Sequence, residues 1–113
     1  MKCGLKPRDQ GIVVELEGEA DLATVPSFQQ LLRDQMSTTT TLWLVIDFSL
    51  VTFVNTPVWA VVVEYYQHAR NSKTGLALAG LKSRVAASFN IVQLGNFIAH
   101  YPTVEEAVAA LKT

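Results

Sequence analysis

The chain has 113 residues, half of them hydrophobic, which is enough to bury one continuous core without staples, so residues 1–113 read as a single domain. Nine basic against ten acidic residues leave one net negative charge, and no Lys/Arg cluster could follow a phosphate backbone, so nucleic acid is excluded as a partner class. Cys3 is the only cysteine, which excludes a disulfide framework or a multidentate thiolate site and suits a reducing, cytoplasmic setting.

The opening MKCGLKPRDQG lacks the apolar run of a secretory signal, and no later run approaches the roughly 18 residues of a membrane span, so no direct membrane insertion is expected. Lys2 to Leu5 can form a short edge strand, with KPRDQG as the turn that follows. In GIVVELEG, 11–18, Ile12, Val14 and Leu16 alternate with Val13, Glu15 and Glu17, the period of a strand with one better-buried face. ADLATVPSFQQLLRDQM then reads as an amphipathic helix: Thr24 can cap it, Pro26 suits its first turn, and Phe28, Leu31 and Leu32 recur at helical spacing. STTTT at 37–41 is a polar connection, and TLWLVID, 41–47, is an interior strand that stops at Asp47.

The next segment sets local preference against its flanks. VWAVVVEYY, 58–66, is rich in β-branched and aromatic residues, which favours a strand. Asn55 as cap, Thr56 and Pro57 as first turn, and the stripe Val58, Val61, Val62, Tyr65 and Ala69 favour a helix to about Asn71, and the helix is the reading adopted. Trp59, Val63 and Tyr66 extend its apolar surface beyond one stripe, which implies deep burial or a partner. LALAGL, 76–81, is a further short strand; Ser83 caps a helix with Val85, Phe89 and Val92 on one face, ended by Gly95. Phe97 to Tyr101 can form a last strand, and Thr103-Val-Glu-Glu106 is a capping box that opens a helix through Leu111. This alternation predicts an α/β fold with a small mixed, mostly parallel sheet and four helices along it.

Catalytic and cofactor chemistry finds no local support. GLALAG lacks the G-x-G-x-x-G spacing, and no P-loop is present. His68 and His100 have no metal-ligand partners at a committing spacing and read as a polar-face helix residue and a strand-end residue. Glu105 and Glu106 read as cap and macrodipole groups rather than an acid/base pair, and no nucleophile elbow surrounds any serine. The chain is therefore expected not to be an enzyme and to need no cofactor. The informative place is the junction from Asp47 to Trp59, where a strand end meets a helix start, the region in which α/β folds bind ligands and partners. Its residues can equally do no more than start a helix.

Three separated segments, GEADLATVPSF at 18–28, LVIDFSLVTFVNT at 44–56 and LGNFIAHYPTVEEAVAAL at 94–111, resemble a STAS domain, the domain of bacterial anti-sigma factor antagonists, over roughly residues 11–112. The resemblance implies the STAS fold and a protein-binding, regulatory role. Members dock on a serine/threonine kinase-type anti-sigma factor and are released when that kinase phosphorylates an Asp-Ser-Ser/Thr-Gly motif at the start of the second helix. Carried onto this chain, the motif becomes Asn55, Thr56, Pro57 and Val58, so the usual acceptor, the third position, is Pro57 and has no hydroxyl. Asp21 matches the family's Asp after the second strand and is a candidate interface or capping group. Two readings of the departure are phosphorylation of Thr56 instead and, the one favoured, constitutive docking through Thr56, Pro57, Val58, Trp59 and Val63 with Trp59 as an exposed aromatic anchor. A third is that Val58 and Trp59 fill core space and the binding surface lies elsewhere. Alternatives to the sigma-factor role are a STAS subunit that binds the ATPase of a lipid-transport complex, and a small-ligand sensor.

Overall fold

A computed structural model describes residues 2–20, 23–37 and 41–112. Strands β1 (Lys2–Arg8) and β2 (Gly11–Ala20) form a hairpin, followed by α1 (Val25–Met36), β3 (Trp43–Val54), α2 (Thr56–Ser72), β4 (Gly75–Ala79), α3 (Ser83–Ile91), a 3-10 turn at Leu94–Asn96, β5 (Ala99–Tyr101) and α4 (Val104–Lys112). The sheet runs in sequence order, β1-β2-β3-β4-β5, with β1 antiparallel to β2 and every later pair parallel. The mixed, mostly parallel sheet with four helices is the architecture that the alternation of elements predicts.

Strand alternation sorts the core into two layers. Ile12, Val14, Leu16, Leu44, Ile46 and Phe48 point to one face and pack with Phe28 and Leu32 of α1, the inner stripe of α2, and Val85 and Phe89 of α3. Val13, Trp43, Val45, Ala77 and Ala79 point to the other, where Ala107 and Val108 of α4 cover them. Trp43 lies flat on Gly11, where an added Cβ would fall 2.0 Å from the indole, so only glycine fits opposite it.

Several boundaries differ from the sequence reading, each for a local reason. β1 continues through Pro7 to Arg8, because an edge strand tolerates a proline whose missing amide would face outward, and the turn shrinks to Asp9 and Gln10 with Asp9 at φ 43°. β3 passes the expected stop at Asp47 and runs to Val54. It advances three residues, Asp47 to Leu50, while β2 advances two, Glu15 to Glu17, and again two, Val51 to Phe53, while β2 advances one. These are bulges; at the first, the Asp47 carboxylate accepts the Ser49 amide at 2.9 Å. Pairing with β4 ends at Asp47–Ala79, so the second half of β3 projects past β4 toward the start of α2. Gly80 is needed just after β4: its φ is +71°, and a Cβ there would lie 2.8 Å from that of Ser49. Ser83 is the first residue of α3 rather than its cap, which falls at Lys82, and the helix ends at Ile91, before Gln93 turns left-handed at φ 59°. β5 shortens to Ala99–Tyr101.

Candidate docking site at the start of the second helix

The junction is built from one connecting residue. Asn55 stays extended at φ −79° and ψ 152°, its amide donates to the Ala20 carbonyl at 2.9 Å, and its carbonyl accepts the Val58 amide at 3.0 Å. β3 thus passes directly into α2, tied to the end of β2. Pro57 sits in the first turn, where a missing amide costs nothing, and no acidic residue occupies that turn to offset the positive helix end. Asn55 occupies the cap position, but its side chain makes no capping hydrogen bond; the helix prevails over the β preference of the valines because Pro57 suits its first turn and Val58, Val61, Val62, Tyr65 and Ala69 bury one continuous stripe.

The expected site residues divide between interior and surface. Val58 is fully buried and Trp59 is 2 % exposed. The Trp59 ring lies between Phe48 and Phe89, at centroid distances of 5.3 and 5.4 Å, and its Nε1 donates to Ser88 Oγ at 2.8 Å. The expectation of an exposed aromatic anchor at Trp59 is thereby corrected: the indole binds α2 to α3 and β3, and neither it nor Val58 offers a side chain to a partner. Thr56 is exposed, Asn55, Pro57 and Val63 are half-buried, and Asp21 lies outside the described residues.

Thr56 is followed at helical spacing by exposed Ala60, half-buried Val63 and exposed Gln67, which share the outward face of α2. Ala60 escaped the sequence reading, although counting four residues on from an exposed Thr56 would have placed it there. Leu50 and Phe53 on the projecting half of β3 are also exposed. A cavity of about 370 Å³ at that end of the sheet is lined by Val51, Thr52, Lys82, Ser83 and Arg84, which sets two cations beside the strand end. Exposed Glu17 and Glu19 on β2 stand in register with Leu50 and Phe53, and farther along α2 lies Glu64, whose carboxyl is held below the usual range by hydrogen bonding from Arg33 at 2.7 Å and from Gln29.

Other candidate groups have structural roles. Glu105 makes a two-point ion pair with Arg8 at 2.9 and 3.1 Å, and the Glu106 amide donates to Thr103 Oγ1 at 3.1 Å, the helix cap expected there. His100 rests edge-on against Phe89, 5.1 Å between centroids. Half-buried His68 lies 5.6 Å from the Tyr65 ring. Among the described residues no group of three His, Cys, Asp or Glu side chains is placed to hold a metal ion, and no helix is long and apolar enough to cross a membrane.

Solved structures share this arrangement. An anti-sigma factor antagonist from Mycobacterium paratuberculosis superposes with a TM-score of 0.92 at 22 % identity, over 99 % of this chain and 94 % of that one. A variant of RsbS from Moorella thermoacetica gives 0.83 at 24 % identity, over 99 % and 96 %. The Bacillus cell fate determinant SpoIIAA, in its phosphorylated form, gives 0.76 at 16 % identity, over 97 % and 99 %. At these identities the likeness establishes the fold. No curated protein matches the chain in sequence. The STAS domain profile does match, over residues 5–107, and with the five-stranded sheet and the strand-to-helix junction in place the chain belongs to the STAS domain family.

Proposed function

We propose that the chain is a non-enzymatic regulatory module of the anti-sigma factor antagonist type, which docks on a kinase-type anti-sigma factor through the start of α2 and does so constitutively. The observation that carries this reading is the outward strip Thr56, Pro57, Ala60 and Val63 at the end of the bulged β3, with proline at the position where the family resemblance puts the acceptor hydroxyl. A phosphate there would set a double negative charge on a strip whose own side chains are uncharged and break the contact. With no hydroxyl on Pro57, that route of release is closed. Thr56 is a poor substitute, because the proline after it holds its backbone extended or turned in a kinase cleft and narrows the enzymes able to accept it.

The interface is the surface strip and not the buried indole, so the experiment is a calorimetric titration with the candidate kinase-type anti-sigma factor of the same organism. Ala60→Arg should weaken binding about tenfold or more, as a charge set into the centre of a neutral contact does, while the interior substitution Trp59→Phe should leave affinity nearly unchanged. Wild-type affinity in Ala60→Arg would remove the proposed face. Binding to a transporter ATPase instead would favour the lipid-transport reading.

A further inference from the structure

The second core layer is covered more thinly than the first. In the first layer α1 and α3 each seat a phenylalanine, Phe28 and Phe89. Over the second lies α4 alone, nine residues long, whose buried side chains are Ala107 and Val108, with Val104 and Leu111 half-buried. Such short side chains remove less apolar surface from water, so packing holds α4 less firmly than the other helices. The layer beneath it also contains an unmet polar group: the Trp43 indole Nε1 is buried and has no hydrogen-bond acceptor among the described residues, whereas Trp59 Nε1 is satisfied by Ser88. A buried donor without a partner favours any state in which water can reach it.

What fastens α4 besides packing is charge at its two ends. Glu105 in its first turn is held by Arg8 at 2.9 Å and Lys112 in its last by Asp9 at 2.7 Å, both pairs exposed and both reaching to the β1–β2 hairpin. The other charged groups beside Glu105 are Lys6 of β1, Glu15 of β2 and Asp47 of β3, which line one cavity with it. Lys6 is committed to Glu15 and Asp47 to the Ser49 amide, so Arg8 is the cation that holds Glu105. Two residues, Pro102 and Thr103, join β5 to α4. We propose that α4 is a releasable strap latched by these two ion pairs: it lifts as a unit about Pro102 and Thr103 and uncovers Val13, Trp43, Val45, Ala77 and Ala79 while the first layer stays folded. Opening of one weakly packed element ahead of the whole is a general property of folded chains, and here the second layer has its own cover. The proposal does not rest on docking at the start of α2.

The two tryptophans, one in each layer, supply the probe and its control. Nuclear magnetic resonance of the whole chain in deuterated water resolves the exchange of each indole N–H and of the backbone amides. The Trp43 indole and the amides of the second half of α4 should share one level of protection, at least about tenfold below that of the Trp59 indole and the inner stripe of α2. Glu105→Gln and Asp9→Asn should each speed exchange of the α4 set about two- to fivefold, as loss of an exposed ion pair does, and leave the Trp59 set unchanged. Equal protection of the two indoles, or variants that speed both alike, would overturn the proposal, because the second layer would then open only with the whole chain. So would fast α4 amides beside a Trp43 indole as protected as that of Trp59, since the helix would then fray without uncovering the sheet.

Discussion

At Trp59 the indole is enclosed by Phe48 and Phe89 and its Nε1 is satisfied by Ser88, so its removal should behave as a core deletion. Trp59→Ala is expected to cost about 3–5 kcal/mol in urea unfolding, against about 0.5 kcal/mol or less for a surface anchor. Ser88→Ala should cost about 1–3 kcal/mol, because the ring nitrogen loses its acceptor inside the protein. A Trp59→Ala midpoint near that of the wild type would contradict the burial. The sequence could not resolve this point: on a helix whose apolar surface spans more than one stripe, phase alone permits Trp59 to face α3 or solvent, and the deciding contact, Ser88, is 29 residues away. The outward strip, by contrast, was partly legible, since Thr56, Pro57 and Val63 were all on it and only Ala60 was passed over.

Among the elements, α2 carries the candidate site on its outward face and a continuous stripe of the core on its inner one, and that stripe has a titration signature. Burial pushes the Tyr65 phenol up to about 12, against about 10 for a free tyrosine. Above the unfolded value the unfolded chain releases this proton while the folded chain keeps it. The stabilising contribution is thus complete below about pH 10, declines as the pH rises toward about 12, and amounts to about 2–3 kcal/mol. Tyr65→Phe should flatten that part of the stability profile, measured by urea unfolding at increasing alkaline pH; an unchanged alkaline slope would show that Tyr65 ionises as freely when folded. The helix itself was legible because Asn55, Thr56 and Pro57 form a start signal that valine propensity cannot cancel once the stripe is buried. The end of β3 was not, because an Asp followed by Phe-Ser reads as a stop, whereas the Asp47 carboxylate instead stabilises a bulge by taking up the Ser49 amide. Nor does the sequence mark Ser83 as a first-turn residue rather than a cap, since both positions favour serine.

For the whole molecule, the hairpin is fastened to α4 by Arg8–Glu105 and Lys112–Asp9, and α1 to α2 by Arg33–Glu64. The Asp9, Glu64 and Glu105 carboxyls are each held below the usual carboxylate range, chiefly by hydrogen bonds from Lys112, Arg33 and Arg8. Their contribution is present above the unfolded values near pH 4 and is lost as the pH falls through the depressed folded values. These pairs are exposed, so salt should shrink the acid sensitivity: at about 1 M the screening length falls to about 3 Å. Melting temperatures from neutral pH to about pH 3 at low and high salt check this, and an acid limb indifferent to salt would assign the sensitivity to other groups. The strand-helix alternation followed from apolar periodicity. The pairing of distant ends through Arg8, Asp9, Glu105 and Lys112 did not, because exposed charges carry no periodic signal.

The central claim is that docking at the start of α2 is constitutive, since Pro57 has no hydroxyl to phosphorylate. It is tested most directly by incubating the chain with its kinase-type anti-sigma factor and magnesium ATP, then measuring intact mass and affinity on the same sample. The account predicts no added phosphate and an affinity equal to that of the untreated protein. A phosphate on Thr56 together with loss of binding would contradict it.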